Sequence, residues 1–235
     1  MTCKEPLNSL LKYVPSRGLL LDAGCGQLTY TVLVKYFKPE LEIIPLDIII
    51  PEHLRNRNKY GFIAASIEEL PFMEEVFDFI FCLSTIQLIK DDRGALRELH
   101  RVLKKNGILF FTLPTSKSLF RLIRDLEIRC GVYAYPEYNV PHHHYYTTNS
   151  ILNLIDELFE VVDLYGYHYN FLPRLCKFLI SLATKMCKRN FEKTLFTKGV
   201  NLQLVFKKKK LMDKSLRLKM LRDLSYHYIV ITRKL

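Results

Sequence analysis

The chain has 235 residues, 49% hydrophobic and 25% charged, enough for one well-filled core and too balanced for a disordered or fibrous protein. Its net charge of +11 belongs to one stretch, since residues 170–224 hold fifteen Lys or Arg against Glu192, Asp213 and Asp223, leaving the remainder nearly neutral. Six cysteines without a C-x-x-C pair argue against a zinc ribbon or a disulfide scaffold, MTCKEP opens no secretory signal, and no window approaches the ~18 apolar residues of a membrane span, so the expectation is a cytoplasmic protein with reduced thiols.

In chain order, residues 7–14 form a short helix ahead of the first strand. Residues 18–113 then alternate short apolar runs with amphipathic stretches, the pattern of repeated βα units. Strands are predicted at 18–22, 42–47, 61–65, 77–83 and 107–113, apolar on both faces as parallel strands covered on both sides require. Between the last two lies a helix over 91–104. Leu96, Leu99, Val102 and Leu103 make its inner face and Arg93, Arg97, Arg101 and Lys104 its outer one. Asp91 or Asp92 caps its start, and Asn106-Gly107 ends it and turns into the next strand.

After Pro114 come a loop, a short helix and the run PHHHYYTT. A helix over 148–158 follows, with Ile151, Leu154, Ile155 and Leu158 on one face, and the last strands are at 159–167 and 226–232. The prediction is a single α/β domain over 1–235. It has a doubly wound, mostly parallel seven-stranded sheet and a basic helical insertion, 170–224, before the last strand.

The first strand ends in Asp22-Ala-Gly-Cys-Gly. A ligand at the carboxyl edge of a parallel sheet approaches the backbone where strand turns into helix. Gly24 and Gly26, flanking Cys25, permit that turn, and the amides of the following helix offer donors to a carboxylate. Asp47, about twenty residues on at the end of the neighbouring strand, can accept both hydroxyls of a ribose. Thr29 stands where G-x-G-x-x-G has its third glycine. Asp22 is placed to bond turn amides and favour a cationic cofactor over a pyrophosphate.

With Ser66–Phe72 (SIEELPF) and Val76–Thr85 (VFDFIFCLST), these motifs resemble the class I S-adenosylmethionine-dependent methyltransferases, in particular the type 11 methyltransferase-domain group. The likeness runs through residues 15–113 and again at 145–167 and 226–235. It implies that Asp22, Gly24, Cys25 and Gly26 hold the methionine portion of S-adenosylmethionine and Asp47 the ribose. Ser66 and Ile67 then meet the adenine, and Leu83 and Ser84 lie beside the amino acid portion. Asp78 matches an Asp whose role is structural. The chain departs from the pattern at Leu28, where a third loop glycine is frequent, at Ser66, where Asp is commoner, and at Gln87-Leu88, where Glu-His is frequent.

Methyl transfer from a sulfonium depends on in-line placement more than on a catalytic apparatus. The histidine run is read first as lining of the acceptor pocket; His143 and His144 are the candidate bases for an acceptor that must lose a proton. Consecutive histidines in an extended segment point to alternating sides, so no metal site is expected.

In the insertion, 174–188 reads as an amphipathic helix with Leu175, Phe178, Leu179, Leu182 and Met186 on one face and Arg174, Lys177, Lys185 and Lys188 beside it. Contact with an anionic membrane and packing on the chain's own core or a dimer partner are both open. Lys207–Lys210 is either a solvated face or a binder of lipid or RNA phosphates. The function expected is methylation of a small-molecule or lipid-like acceptor. An RNA methyltransferase and an inactive S-adenosylmethionine-binding partner protein are the alternatives.

Overall fold

The computed structural model describes residues 4–49, 61–130, 143–167, 178, 179, 182 and 227–235. Its elements are α1 (Lys4–Tyr13), β1 (Gly18–Ala23), α2 (Thr29–Phe37), β2 (Leu41–Asp47), β3 (Ile63–Ala64) and β4 (Phe77–Leu83). A 3-10 turn (Ile86–Leu88) leads into α3 (Asp92–Val102), β5 (Leu103–Pro114), α4 (Leu119–Arg129), α5 (Thr148–Ile155), β6 (Phe159–Tyr167) and β7 (His227–Lys234). The seven strands form one sheet in the order β3-β2-β1-β4-β5-β7-β6. Its first five strands run parallel, and β7 is antiparallel to both β5 and β6. This is the doubly wound, mostly parallel sheet that the alternation of runs predicts.

The period of two along each strand sorts the core into two halves. Leu21, Ile80, Phe111 and Val230 face one side with Leu96, Leu99 and Val102 of α3. Leu20, Phe79, Phe81, Phe110 and Ile229 face the other with Leu10 of α1 and Val34 of α2. All fourteen are within 1% of complete burial, and each contributes roughly 1.5–3 kcal/mol of transfer free energy. At the amino edge Asp78 accepts the Leu19 amide at 2.9 Å and an ion pair from Lys104 at 2.7 Å. These partners hold its carboxyl below the usual carboxylate range against the opposing cost of burial. Its work is structural, joining β1 to β4.

Several boundaries differ from expectation. The helix predicted to run to Lys104 stops at Val102, because Leu103 already pairs with Phe77. The next pair is Phe79 with Ile108, so residues 104–107 form a bulge inside β5, with Asn106 left-handed at φ 61°. Asn106-Gly107 therefore shapes a bulge rather than a helix end. The third strand, expected over 61–65, is only Ile63–Ala64: Gly61 is left-handed at φ 63°, and β2 pairs with β3 only through Leu46 and Asp47. The helix at Thr148 ends at Ile155, short of the left-handed Glu157, and β7 runs on to Lys234.

Of the basic insertion, only Phe178, Leu179 and Leu182 are described, all helical, with Phe178 buried and Leu179 half exposed. The rest of the predicted helix at 174–188 and Lys207–Lys210 lie outside the described residues. Among the described residues no helix is long and apolar enough to cross a membrane.

Candidate functional site

Parallel pairing fixes where the site can be. Ala23 lies beside Leu46 and Asp22 beside Phe81, so β1, β2 and β4 present their carboxyl ends together. The turn after Ala23 leaves the sheet between Asp47 on one side and Ser84-Thr85 on the other. Asp22, Gly24, Cys25, Gly26, Asp47, Leu83 and Ser84 are thereby gathered at one edge, as their motif spacing predicts.

The amides of Gly24 and Cys25 both donate to the Leu46 carbonyl, at 2.7 and 3.0 Å. That carbonyl does what the sequence reading assigned to Asp22. The Asp22 side chain points beneath the loop and accepts a hydrogen bond from the Thr31 hydroxyl on α2. Burial pushes its pKa up to about 7; the Thr31 bond opposes this and the nearby Asp47 charge adds to it. The same burial, with the charge of Asp22, raises the thiol of Cys25 and pushes that of Cys82 up to about 12, so neither is a thiolate nucleophile.

The two loop glycines serve different ends. At Gly24, φ +81°, the Thr85 side chain fills the volume a Cβ would need, and the Thr85 hydroxyl donates to the carbonyls of Gly24 and Leu83 at 3.4 and 3.2 Å. At Gly26, φ +51°, an added Cβ would meet nothing within 4 Å. A ligand can therefore approach the backbone there. The Gly26 amide donates to Asp47 Oδ2 at 2.9 Å, and Asp47 Oδ1 takes the Ile49 amide at 3.3 Å. Leu28 then enters α2 in the left-handed region, φ 61°, with no side-chain cap over the first amides. It supplies the backbone angle that a third glycine would, while its side chain is buried.

Ser66 and Ile67 follow β3 on the far side of Asp47. Ile67 is buried against the core that includes Leu21 and Leu46. The Ser66 hydroxyl closes a turn, accepting the Glu68 amide at 3.1 Å and lying 3.5 Å from Glu68 Oε2. The exposed Glu68 carboxylate therefore stands beside the Ser66 hydroxyl. The sequence reading missed Glu68, although the run Ile67-Glu68-Glu69 displays it. It also missed the clamp under this segment. Glu98 accepts the Leu70 amide at 3.0 Å, and Arg101 donates to the carbonyls of Leu70 and Phe72 at 3.0 and 2.8 Å while pairing with Glu98 at 2.8 Å.

On the other side, Ser84 is left-handed at φ 57° and its amide donates to Thr112 Oγ1 at 2.9 Å. Beyond it a strap crosses the ends of β4 and β5. The His143 amide donates to the Gln87 carbonyl at 2.8 Å, while the Tyr146 amide meets Pro114 O at 3.0 Å and Ser116 N meets Tyr146 O at 2.7 Å. His144 Nε2 lies 2.9 Å from the Lys90 carbonyl and its Nδ1 3.9 Å from Asp92 Oδ2, which also accepts the Tyr146 hydroxyl at 2.8 Å. The Nε2 contact with Lys90 ties His144 into the strap, whereas His143 is exposed. Among the described residues, the side-chain oxygen of Gln87, in a residue 1% exposed, has no hydrogen-bond partner. His142 lies outside the described residues.

A family model for a methyltransferase domain matches residues 21–111. The demethylmenaquinone methyltransferase of Thermotoga maritima is 30% identical over 180 residues, covering 72% of this chain and 78% of that one. A malonyl-acyl-carrier-protein O-methyltransferase of Legionella pneumophila is 26% identical over 181 residues, 74% of this chain. The chain spans only 61% of that relative's length. Among solved structures, phosphoethanolamine N-methyltransferase 2 of Haemonchus contortus, in complex with S-adenosyl-L-methionine, shares the fold. Its TM-score is 0.59 at 14% identity, over 98% of this chain and 52% of that one.

Proposed function

Because the chain belongs to the class I S-adenosylmethionine-dependent methyltransferases, we propose that it binds S-adenosylmethionine at this edge and methylates a small-molecule or lipid-like acceptor. The observation that carries the reading is the pair formed by Gly26 and Asp47. A backbone amide open to a ligand on its Cβ side is held by a carboxylate at the end of the adjacent strand. The demethylmenaquinone and malonyl-carrier relatives supply the acceptor class.

When bound, the cofactor supplies an electrophilic methyl group on a sulfonium. In this reading Asp47 accepts the ribose hydroxyls. Gly24, Cys25 and Gly26 admit the methionine portion, whose carboxylate meets the uncapped first turn of α2. Asp22 sets a buried negative charge beneath its cationic part. Ile67 packs against the adenine, and Ser66 with Glu68 receives its amine. Leu83 and Ser84 flank the amino acid portion. The strap lines the acceptor side, where exposed His143 takes a proton from an acceptor that must lose one and His144 positions the segment.

Calorimetric titration with S-adenosylmethionine, S-adenosylhomocysteine and NADH tests the cofactor. The adenosyl compounds are expected to bind and NADH not to; the reverse preference overturns the reading. Transfer of labelled methyl into fractionated lipid, RNA, protein and small-molecule extracts tests the acceptor. Label is expected in the lipid or small-molecule fraction, whereas label in RNA alone reassigns the acceptor and label nowhere favours a binding protein without turnover.

A further inference from the structure

A second feature lies at the same edge, past the end of β5. A cavity of about 330 Å3 is lined by Ser116, Lys117, Ser118, Arg121, Leu122 and Asp125, a volume at the small end of those that hold organic ligands. The Arg121 guanidinium rests on the Tyr145 ring, 4.4 Å from its centroid, and donates to the Ser116 carbonyl at 3.2 Å. Asp125 approaches it at 3.7 Å, outside hydrogen-bond distance, and among the described residues no carboxylate is closer. Among the described lining residues, Arg121 and Lys117 are the cations and Asp125 the carboxylate. The wall is not wholly polar: Leu122, which lines it, is 57% exposed, and beyond it Leu126, one turn further along α4, is 39% exposed. One helical turn apart, they form an exposed apolar pair alongside Arg121 and Asp125.

The position of this cavity links it to methyl transfer. β5 lies beside β4 on the side away from β1, and Thr112 holds the Ser84 amide. Ser116 is four residues past Thr112, at most about 13 Å of extended chain. Tyr145, under Arg121, is flanked by His144 and Tyr146 of the strap. We propose that the cavity receives the anionic head, carboxylate or phosphate, of an acceptor whose apolar part lies along Leu122 and Leu126. That the bound molecule is methylated rests on the reading above; that it is bound does not. Arg121 is suited to the head because its planar fork, braced on Tyr145, presents paired donors to two oxygens.

The test uses the full chain with S-adenosylhomocysteine present, titrated with octanoate, octyl phosphate and octanol. Octanoate or octyl phosphate is expected to bind at least about tenfold tighter than octanol, and Arg121→Gln to weaken that anion about tenfold. Asp125→Asn removes the competing carboxylate and is expected to tighten binding about threefold, a gain that a misfolded variant cannot give. Equal affinity for octanol, or anion affinities unmoved by both substitutions, overturns the proposal. Cosedimentation with phosphatidylglycerol vesicles separates the sources. Pelleting that depends on Arg121 assigns a lipid headgroup, and octanoate binding without pelleting assigns a soluble acceptor. If octanoate binds through Arg121 while S-adenosylhomocysteine does not bind at all, the methyltransferase reading falls and this site stands.

Discussion

Asp47 and Gly26 are joined at 2.9 Å across the carboxyl ends of the first two strands, so one carboxylate both braces the glycine loop and faces the proposed ribose position. The two roles respond differently to substitution. Asp47→Asn keeps an oxygen for the Gly26 amide but loses the charge that strengthens hydrogen bonds to ribose hydroxyls. Asp47→Ala loses both. S-adenosylhomocysteine affinity is expected to fall about tenfold in the first and about a hundredfold in the second. Calorimetry showing equal losses would mean that the charge alone matters, whereas an unchanged affinity in Asp47→Asn would leave loop bracing as the only role.

Gly24 is constrained twice, by Thr85 filling the Cβ volume and by φ +81°. Gly24→Ala is therefore expected to cost about 3 kcal/mol or more in chemical denaturation. Adding Thr85→Ala removes much of the crowding and none of the backbone strain. The double variant is expected to recover only part of the loss; full recovery would show that the left-handed angle costs nothing here.

The sheet was legible because its strands are apolar on both faces and change direction at Gly, Pro and Asp, signals that local sequence carries. The gathering of Asp22, Gly24, Gly26, Asp47 and Ser84 followed from the same rule, since parallel strands bring their carboxyl ends to one edge. Illegible were the partners that arrive from distant sequence. The Leu46 carbonyl took the amides assigned to Asp22, Thr85 took the space beside Gly24, and Arg101 reached back 31 residues to Leu70. Asn106-Gly107 has one composition for a helix end and for a bulge, and only the pairing of Leu103 with Phe77 distinguishes them.

Leu28 sets packing against backbone. Its left-handed angle costs about 1 kcal/mol, while its buried side chain is worth about 2–4 kcal/mol with the cavity its loss would leave. Leu28→Gly is expected to destabilise by about 1–3 kcal/mol, because packing is the larger quantity. Leu28→Ala forfeits the same packing and keeps the strained angle, so it is expected to be the less stable of the two. Urea midpoints ranking alanine above glycine would contradict the left-handed assignment.

Arg101 ties the segment carrying Ser66 and Ile67 to α3 through two carbonyls and Glu98, which in turn holds the Leu70 amide. Arg101→Lys keeps the charge but cannot span Leu70, Phe72 and Glu98 together. Both Arg101→Lys and Arg101→Ala are expected to lose stability, by about 1 and about 2–3 kcal/mol in urea. Hydrogen exchange is expected to quicken first at Ser66–Phe72. Uniform loss of protection across the sheet would show that the clamp supports the whole fold rather than this segment.

Asp22 makes the site sensitive to pH. Its pKa, near 4 when exposed, is raised to about 7 chiefly by burial. The folded chain thus binds a proton that the unfolded chain releases, and this contribution to stability is fully present below pH 4 and lost as pH rises to 7. Ligand-free stability is expected to decline across that window by up to a few kcal/mol. A cationic cofactor reverses the preference, because it favours the ionised carboxylate. Its affinity is expected to rise with pH, by at most about tenfold per unit, and to level off above pH 7 with proton release on binding. Asp22→Asn is expected to flatten both dependences. Titrations from pH 5.5 to 8.5 in buffers of different ionisation enthalpy measure affinity and proton count together; a pH-independent affinity in the unsubstituted chain would place the cationic group away from Asp22.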